Sequence, residues 1–103
     1  MTLRHRLRNR REHHTVAFRF RNVPYTVGYS RFPDGSLAEI FLDNHKVTSD
    51  MASDARDAAV CLSISLQCGV QPELIRDAVT RDSTGEASGI IGCVLDLLLG
   101  APA

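Results

Sequence analysis

The chain has no tryptophan, a single lysine (Lys46) and only six aromatic residues among 103. Its core must therefore be built from Leu, Ile, Val and Ala. No apolar run approaches the ~20 residues that span a bilayer, which argues against a membrane partner. The charged start carries no apolar leader segment, so the expected compartment is the cytoplasm. Three cysteines, Cys61, Cys68 and Cys93, make an odd count without a Cys-x-x-Cys pair. Cys61 and Cys68 fall about two helical turns apart, roughly 10 Å, too far for a disulfide within one straight helix. The four histidines lack metal-ligand spacing. Buried free thiols are expected, with no metal and no cofactor.

One sign of charge is scarce at each end. Residues 1–22 hold seven Arg and one Glu, whereas residues 23–103 hold five basic and eleven acidic side chains. The net charge of zero thus hides a basic arm, residues 1–14, ahead of an acidic body, residues 15–103, read as one domain. Arg4, Arg6, Arg8, Arg10 and Arg11 can bind nucleic acid by displacing counterions from phosphates. No aromatic is interleaved to stack on bases, so the competing reading is a solvated tail leaning on an acidic surface.

Along the body, Thr15–Arg21 alternates, with Val16, Phe18 and Phe20 on one side and Ala17, Arg19 and Arg21 on the other. That is the pattern of a half-buried strand with a basic outer face. Asn22-Val23-Pro24 reads as a connection, with Pro24 ending the first ladder. A second strand covers Tyr25–Phe32, and Pro33-Asp34-Gly35-Ser36 supplies a turn. Leu37–Leu42 is a third strand. A helix follows, capped from Thr48, Ser49 or Asp50 and closed by Gly69, with Met51, Ala55, Ala58, Ala59, Leu62 and Leu66 as its apolar face, widened by Ile64 and Cys68. Pro72-Glu73 opens a second helix with a Leu74, Ile75, Ala78, Val79 stripe. Ser88–Leu99 is a third, apolar nearly all round, which needs central burial or a partner. The expected fold is α+β: a three-stranded antiparallel meander followed by three helices packed on one face. A chain of this length gains from self-association, so a homo-oligomer, a dimer by preference, is expected.

Asp34-Gly35, the strand Glu39-Ile40-Phe41-Leu42 and the run Ser63-Ile64-Ser65-Leu66-Gln67-Cys68-Gly69-Val70 follow one another in an order that resembles the TSCPD domain. The likeness covers about residues 15–80. This domain stands at the C-terminus of adenosylcobalamin-dependent ribonucleotide reductases and also occurs alone. The resemblance implies an α+β fold and an accessory place in deoxyribonucleotide synthesis, with a reductase subunit or a nucleotide as partner. It does not imply catalysis, since the reductase chemistry belongs to a large barrel that 103 residues cannot supply. Longer members carry Cys-Pro after the second helix. Here Thr80-Arg81-Asp82-Ser83 stands instead, so a metal or redox role is not carried over.

Asp43-Asn44-His45-Lys46 sits between the third strand and the first helix. Asn44, His45 and Lys46, with Arg56 on the helix, suit a phosphate or nucleotide drawn to a helix N-terminus. The competing reading is a polar connection with Asn44 in a turn. Ser83-Thr84-Gly85 and Ser88-Gly89 lack the Gly-Lys-Ser/Thr of a phosphate loop and read as a loop and cap. No nucleophile stands at helical spacing from a base, so a binding module is favoured over an enzyme.

Overall fold

A computed structural model describes residues 4, 7, 12–44 and 50–102. Three strands, β1 (His14–Phe20), β2 (Val23–Arg31) and β3 (Leu37–Asn44), precede three helices, α1 (Asp50–Gln67), α2 (Pro72–Ala78) and α3 (Ile90–Leu99). The strands form one antiparallel sheet in the order β1-β2-β3. The α+β arrangement is thus the one expected. The chain divides into two compact units, Met1–Val70 and Gln71–Ala103.

In the first unit, β1 and β2 are joined by only Arg21 and Asn22, at φ +52° and +64°. Two left-handed residues between paired strands match the type I′ hairpin turn, whose twist suits the strands. The ladder therefore closes at Phe20–Val23, and Pro24 lies inside β2 opposite Arg19 rather than ending the first ladder. Bonded and non-bonded pairs alternate along an antiparallel ladder, so Pro24 occupies a non-bonded position towards β1. Its missing N–H faces the β3 side, one residue past the last pair, Tyr25–Asn44. Proline costs nothing there.

The second turn runs from Phe32 to Ser36. Gly35 stands at φ +92° and donates its N–H to the Phe32 carbonyl at 2.9 Å. Asp34 accepts from both the hydroxyl and the backbone N–H of Ser36, and these bonds, the hydroxyl's first, hold its carboxyl below the ordinary value.

Helix α1 packs on β3. Its buried residues are Ala52, Ala55, Ala59, Leu62, Ser63, Leu66 and Gln67. The 3–4 spacing is the expected one, but the face is rotated: Met51 and Ile64 are exposed, and the polar Ser63 and Gln67 are inside. Alanine at three of the inward positions brings the helix backbone close enough for those short polar side chains to reach the strand. The helix ends in a Schellman motif, with Val70 N–H on the Ser65 carbonyl and Gly69 N–H on that of Leu66. Gly69, at φ +93°, supplies the left-handed residue this closure requires. Tyr25, Val27, Leu37, Ala38, Ile40 and Leu42 are the buried apolar residues of the sheet.

In the second unit α2 contacts α3. Leu74 is 66% exposed and Ala78 is exposed too, so the expected stripe narrows to Ile75 and Val79, both half-buried, with Pro72 buried at its start. Val94 and Leu95 are fully buried on α3, whereas Leu97 faces solvent. Arg81 holds Asp96 through two parallel bonds of 2.7 and 2.8 Å and also donates to the carbonyls of Arg76 and Gly85. One guanidinium thus ties the end of α2, the 82–86 loop and α3 together.

Candidate functional site

The outer edge of β3 is where the chain has built a recess. An open groove of about 440 Å³ runs between β3 and α1, within the size range of small-molecule sites. Phe41, Val60 and Ile64 give it apolar walls, Arg4 and Arg56 bring guanidinium groups, and Glu39 brings a carboxylate.

Strand alternation explains the sheet wall. Ile40 and Leu42 point into the core, so Phe41 between them must point out, and its ring is 52% exposed. Glu39 is on Phe41's side of the strand yet only 5% exposed, and it accepts a 2.8 Å bond from the hydroxyl of Ser30, its cross-strand partner. His13 approaches both: its Nε2 lies 3.7 Å from Glu39 Oε1, and its ring centroid is 5.9 Å from that of Phe41. His14 instead stacks on Tyr29. The two adjacent histidines therefore serve different rings.

The helix wall is set by Ser63 and Gln67. Ser63 Oγ accepts from the Ile40 N–H at 2.8 Å and donates to the Ile40 carbonyl at 3.0 Å. Gln67 Nε2 donates to the Ala38 carbonyl at 3.1 Å, while its Oε1 accepts from Arg4 Nε. Because Tyr29–Ile40 is a non-bonded pair towards β2, both polar groups of Ile40 face the open edge. The helix side chains take the place of a fourth strand there. The edge is covered at Ala38 and Ile40, and a groove lies beside it.

Arg56 reaches over the rim to Asp43, with Nη2 2.8 Å from Oδ1. Both side chains are more than half exposed. Such a surface pair contributes about 0–1 kcal/mol and yields readily to a better anion.

Of the residues grouped from sequence as an anion site, Arg56 lines the groove. Asn44 does not: it belongs to β3, buried, opposite Tyr25, and not to a turn. The strand continues two residues past the expected Leu42 because β2 offers Thr26 and Tyr25 as partners. His45 and Lys46 lie outside the described residues, as do Arg6, Arg8, Arg10 and Arg11 of the arm. Arg4, the arm arginine that is described, is engaged with Gln67. Sequence reasoning missed Phe41, Glu39, Val60 and Ile64 as site residues. The signal available was Phe41, the bulky ring at an outward position of β3.

Elsewhere the 82–86 loop already holds an anion of its own. Asp82 Oδ1 accepts from the Thr84 hydroxyl and from the N–H groups of Thr84 and Glu86, and these bonds, the Thr84 hydroxyl's first, lower the Asp82 carboxyl. The donors a phosphate would use are taken. All three cysteines are free thiols: Cys61 is exposed rather than buried, and burial raises the Cys93 thiol. Among the described residues no group of three His, Cys, Asp or Glu is placed to hold a metal, and no helix is long and apolar enough to cross a membrane. No protein-family model, curated protein or solved structure matches the chain.

Proposed function

We propose that this chain is a non-catalytic accessory domain of deoxyribonucleotide synthesis, the role its TSCPD resemblance implies, and that it takes a nucleotide in the groove between β3 and α1. The observation that carries the reading is the sharing of one groove by the exposed Phe41 ring and the Arg56 guanidinium. An aromatic face suits a base of any sequence, and a guanidinium matches a phosphate bidentately. The groove offers apolar contact from Val60 and Ile64 beside these polar groups, the composition expected of a small-ligand site. Arg56 exchanges a weak surface partner, Asp43, for the phosphate.

Calorimetric titration of the full chain with ATP, dATP and deoxyadenosine tests this. Both nucleotides should bind, and the unphosphorylated nucleoside should bind more weakly. Phe41→Ala should weaken all three by about tenfold, since base stacking is worth roughly 1–3 kcal/mol. Arg56→Gln should weaken the nucleotides and leave the nucleoside unchanged. Absence of binding at millimolar nucleotide, or binding indifferent to both substitutions, would remove the groove from this role.

A further inference from the structure

The two edges of the sheet are treated differently. The β3 edge is covered at Ile40 by Ser63 and at Ala38 by Gln67. The β1 edge has no such cover among the described residues. The turn at Arg21 and Asn22 makes Phe20–Val23 a bonded pair, and alternation makes Phe18–Tyr25, Val16–Val27 and His14–Tyr29 bonded pairs as well. The N–H and C=O groups of Thr15, Ala17 and Arg19 therefore point away from β2, and all three residues are exposed. Pro24 supports the parity, because it sits opposite Arg19, where β1 needs no donor. On the other face Val16, Phe18 and Phe20 remain half-buried beside this open edge.

We propose that the β1 edge is a self-association surface, on which β1 of a second copy of this chain pairs antiparallel about Ala17 to make a continuous six-stranded sheet. The occupant follows from the strand's own symmetry. Full overlap of two copies of His14–Phe20 centres on Ala17, which is also an outward-facing residue. In that register Ala17 meets Ala17 of the second copy and Thr15 meets Arg19 of the second copy, each pair exchanging both backbone bonds. No two arginines stand opposite each other. On the opposite face Val16 meets Phe18 of the second copy, a β-branched and aromatic pair of the favourable kind, in the closer, non-bonded geometry. His14 meets Phe20 of the second copy. The apolar side chains left half-exposed along the edge are the ones this register covers, and an unprotected edge of this length is otherwise an aggregation hazard. The proposal is independent of the nucleotide groove, which lies on the other edge.

Sedimentation of the full chain over a concentration series tests it. Wild type should show a monomer–dimer equilibrium, and Ala17→Pro should be monomeric with an unchanged circular dichroism spectrum, because the N–H it removes is not used by the β1–β2 ladder. Two charge variants keep the test decisive if Ala17→Pro fails to fold. Thr15→Glu places a carboxylate opposite Arg19 of the second copy, twice by symmetry, and should tighten the dimer by roughly 2–30-fold. Thr15→Arg should loosen it by a comparable factor. A wild type that stays monomeric throughout, or a dimer whose constant responds to neither charge at position 15, would overturn the proposal.

Discussion

Ser63 bonds both backbone groups of Ile40, accepting from its N–H at 2.8 Å and donating to its carbonyl at 3.0 Å. One hydroxyl on a helix thereby satisfies an edge-strand residue that is 1% exposed. Buried backbone groups are almost always paired, and here the partner comes from side-chain chemistry instead of another strand.

Replacing Ser63 by Ala should be far more costly than its small change in volume suggests. The substitution leaves two buried polar groups without partners, at about 1–3 kcal/mol for each group fully orphaned. Water entering from the groove would recover part of this, so a loss of about 2 kcal/mol is expected in urea unfolding. The Ile40 amide should exchange with deuterium faster than its neighbours in β3. A Ser63→Ala variant within ~0.5 kcal/mol of wild type would show that the edge is already solvated and the bond dispensable.

The same bond shows what could be read from the chain and what could not. Alternation in Thr15–Arg21 declares the first strand, and the order of the elements follows from turn and cap residues. The face of α1 did not follow from hydropathy, because Ser63 and Gln67 are polar by composition yet buried by function, while Ile64, apolar by composition, lines a groove. Ser63, Gln67, Gly69 and Val70 fall within one short run, and each holds the fold in place. Ser63 and Gln67 cover the sheet edge at Ile40 and Ala38, and Gly69 and Val70 close the helix. The position of the hairpin turn is hard to read because Arg21-Asn22 lacks the glycine that usually advertises a type I′ turn. The groove itself was invisible in one dimension. It joins Arg4, Glu39, Phe41 and Arg56, residues that the sequence scatters over the arm, a strand and a helix. Only the strand-to-helix junction, with Arg56 near it, pointed towards that end of the molecule.

Gly92 is a second position where packing overrides local preference. It lies buried inside α3, where alanine would ordinarily favour the helix by about 1 kcal/mol. A Cβ built there would come 2.9 Å from Ala87 Cβ and 2.9 Å from Val79 Cγ2. Neither neighbour is the far end of a flexible chain, so overpacking of about 1–3 kcal/mol outweighs the propensity gain. Gly92→Ala should lower the thermal midpoint, and adding Val79→Ala should restore part of it by removing one of the two clashing methyl groups. Rescue is the informative outcome. A Gly92→Ala chain more stable than wild type would mean that Val79 and Ala87 move apart at little cost.

The pairing of Arg81 with Asp96 should set the acid limb of stability in the second unit. The guanidinium, through its paired hydrogen bonds first and its charge second, holds the Asp96 carboxyl below the ordinary carboxylate value. The same pairing raises Arg81, which stays protonated throughout. A carboxyl depressed in the folded state binds its proton more readily when unfolded. Its stabilisation is complete above the unfolded value of about 3.9 and is lost as pH falls through the lower, folded value. Thermal midpoints measured from about pH 6 down to about pH 2 should therefore be level at first and fall below about pH 4. Asp34 and Asp82 are depressed in the same direction, so their loss contributes to the slope as well. Asp96→Asn should lower the midpoint at about pH 6 and flatten the descent, because the variant has no carboxyl left to protonate at that position. If wild type and Asp96→Asn instead lost stability in parallel on acidification, the Arg81 pair would not be the source of the acid sensitivity, and the carboxylates of the two turns would carry it.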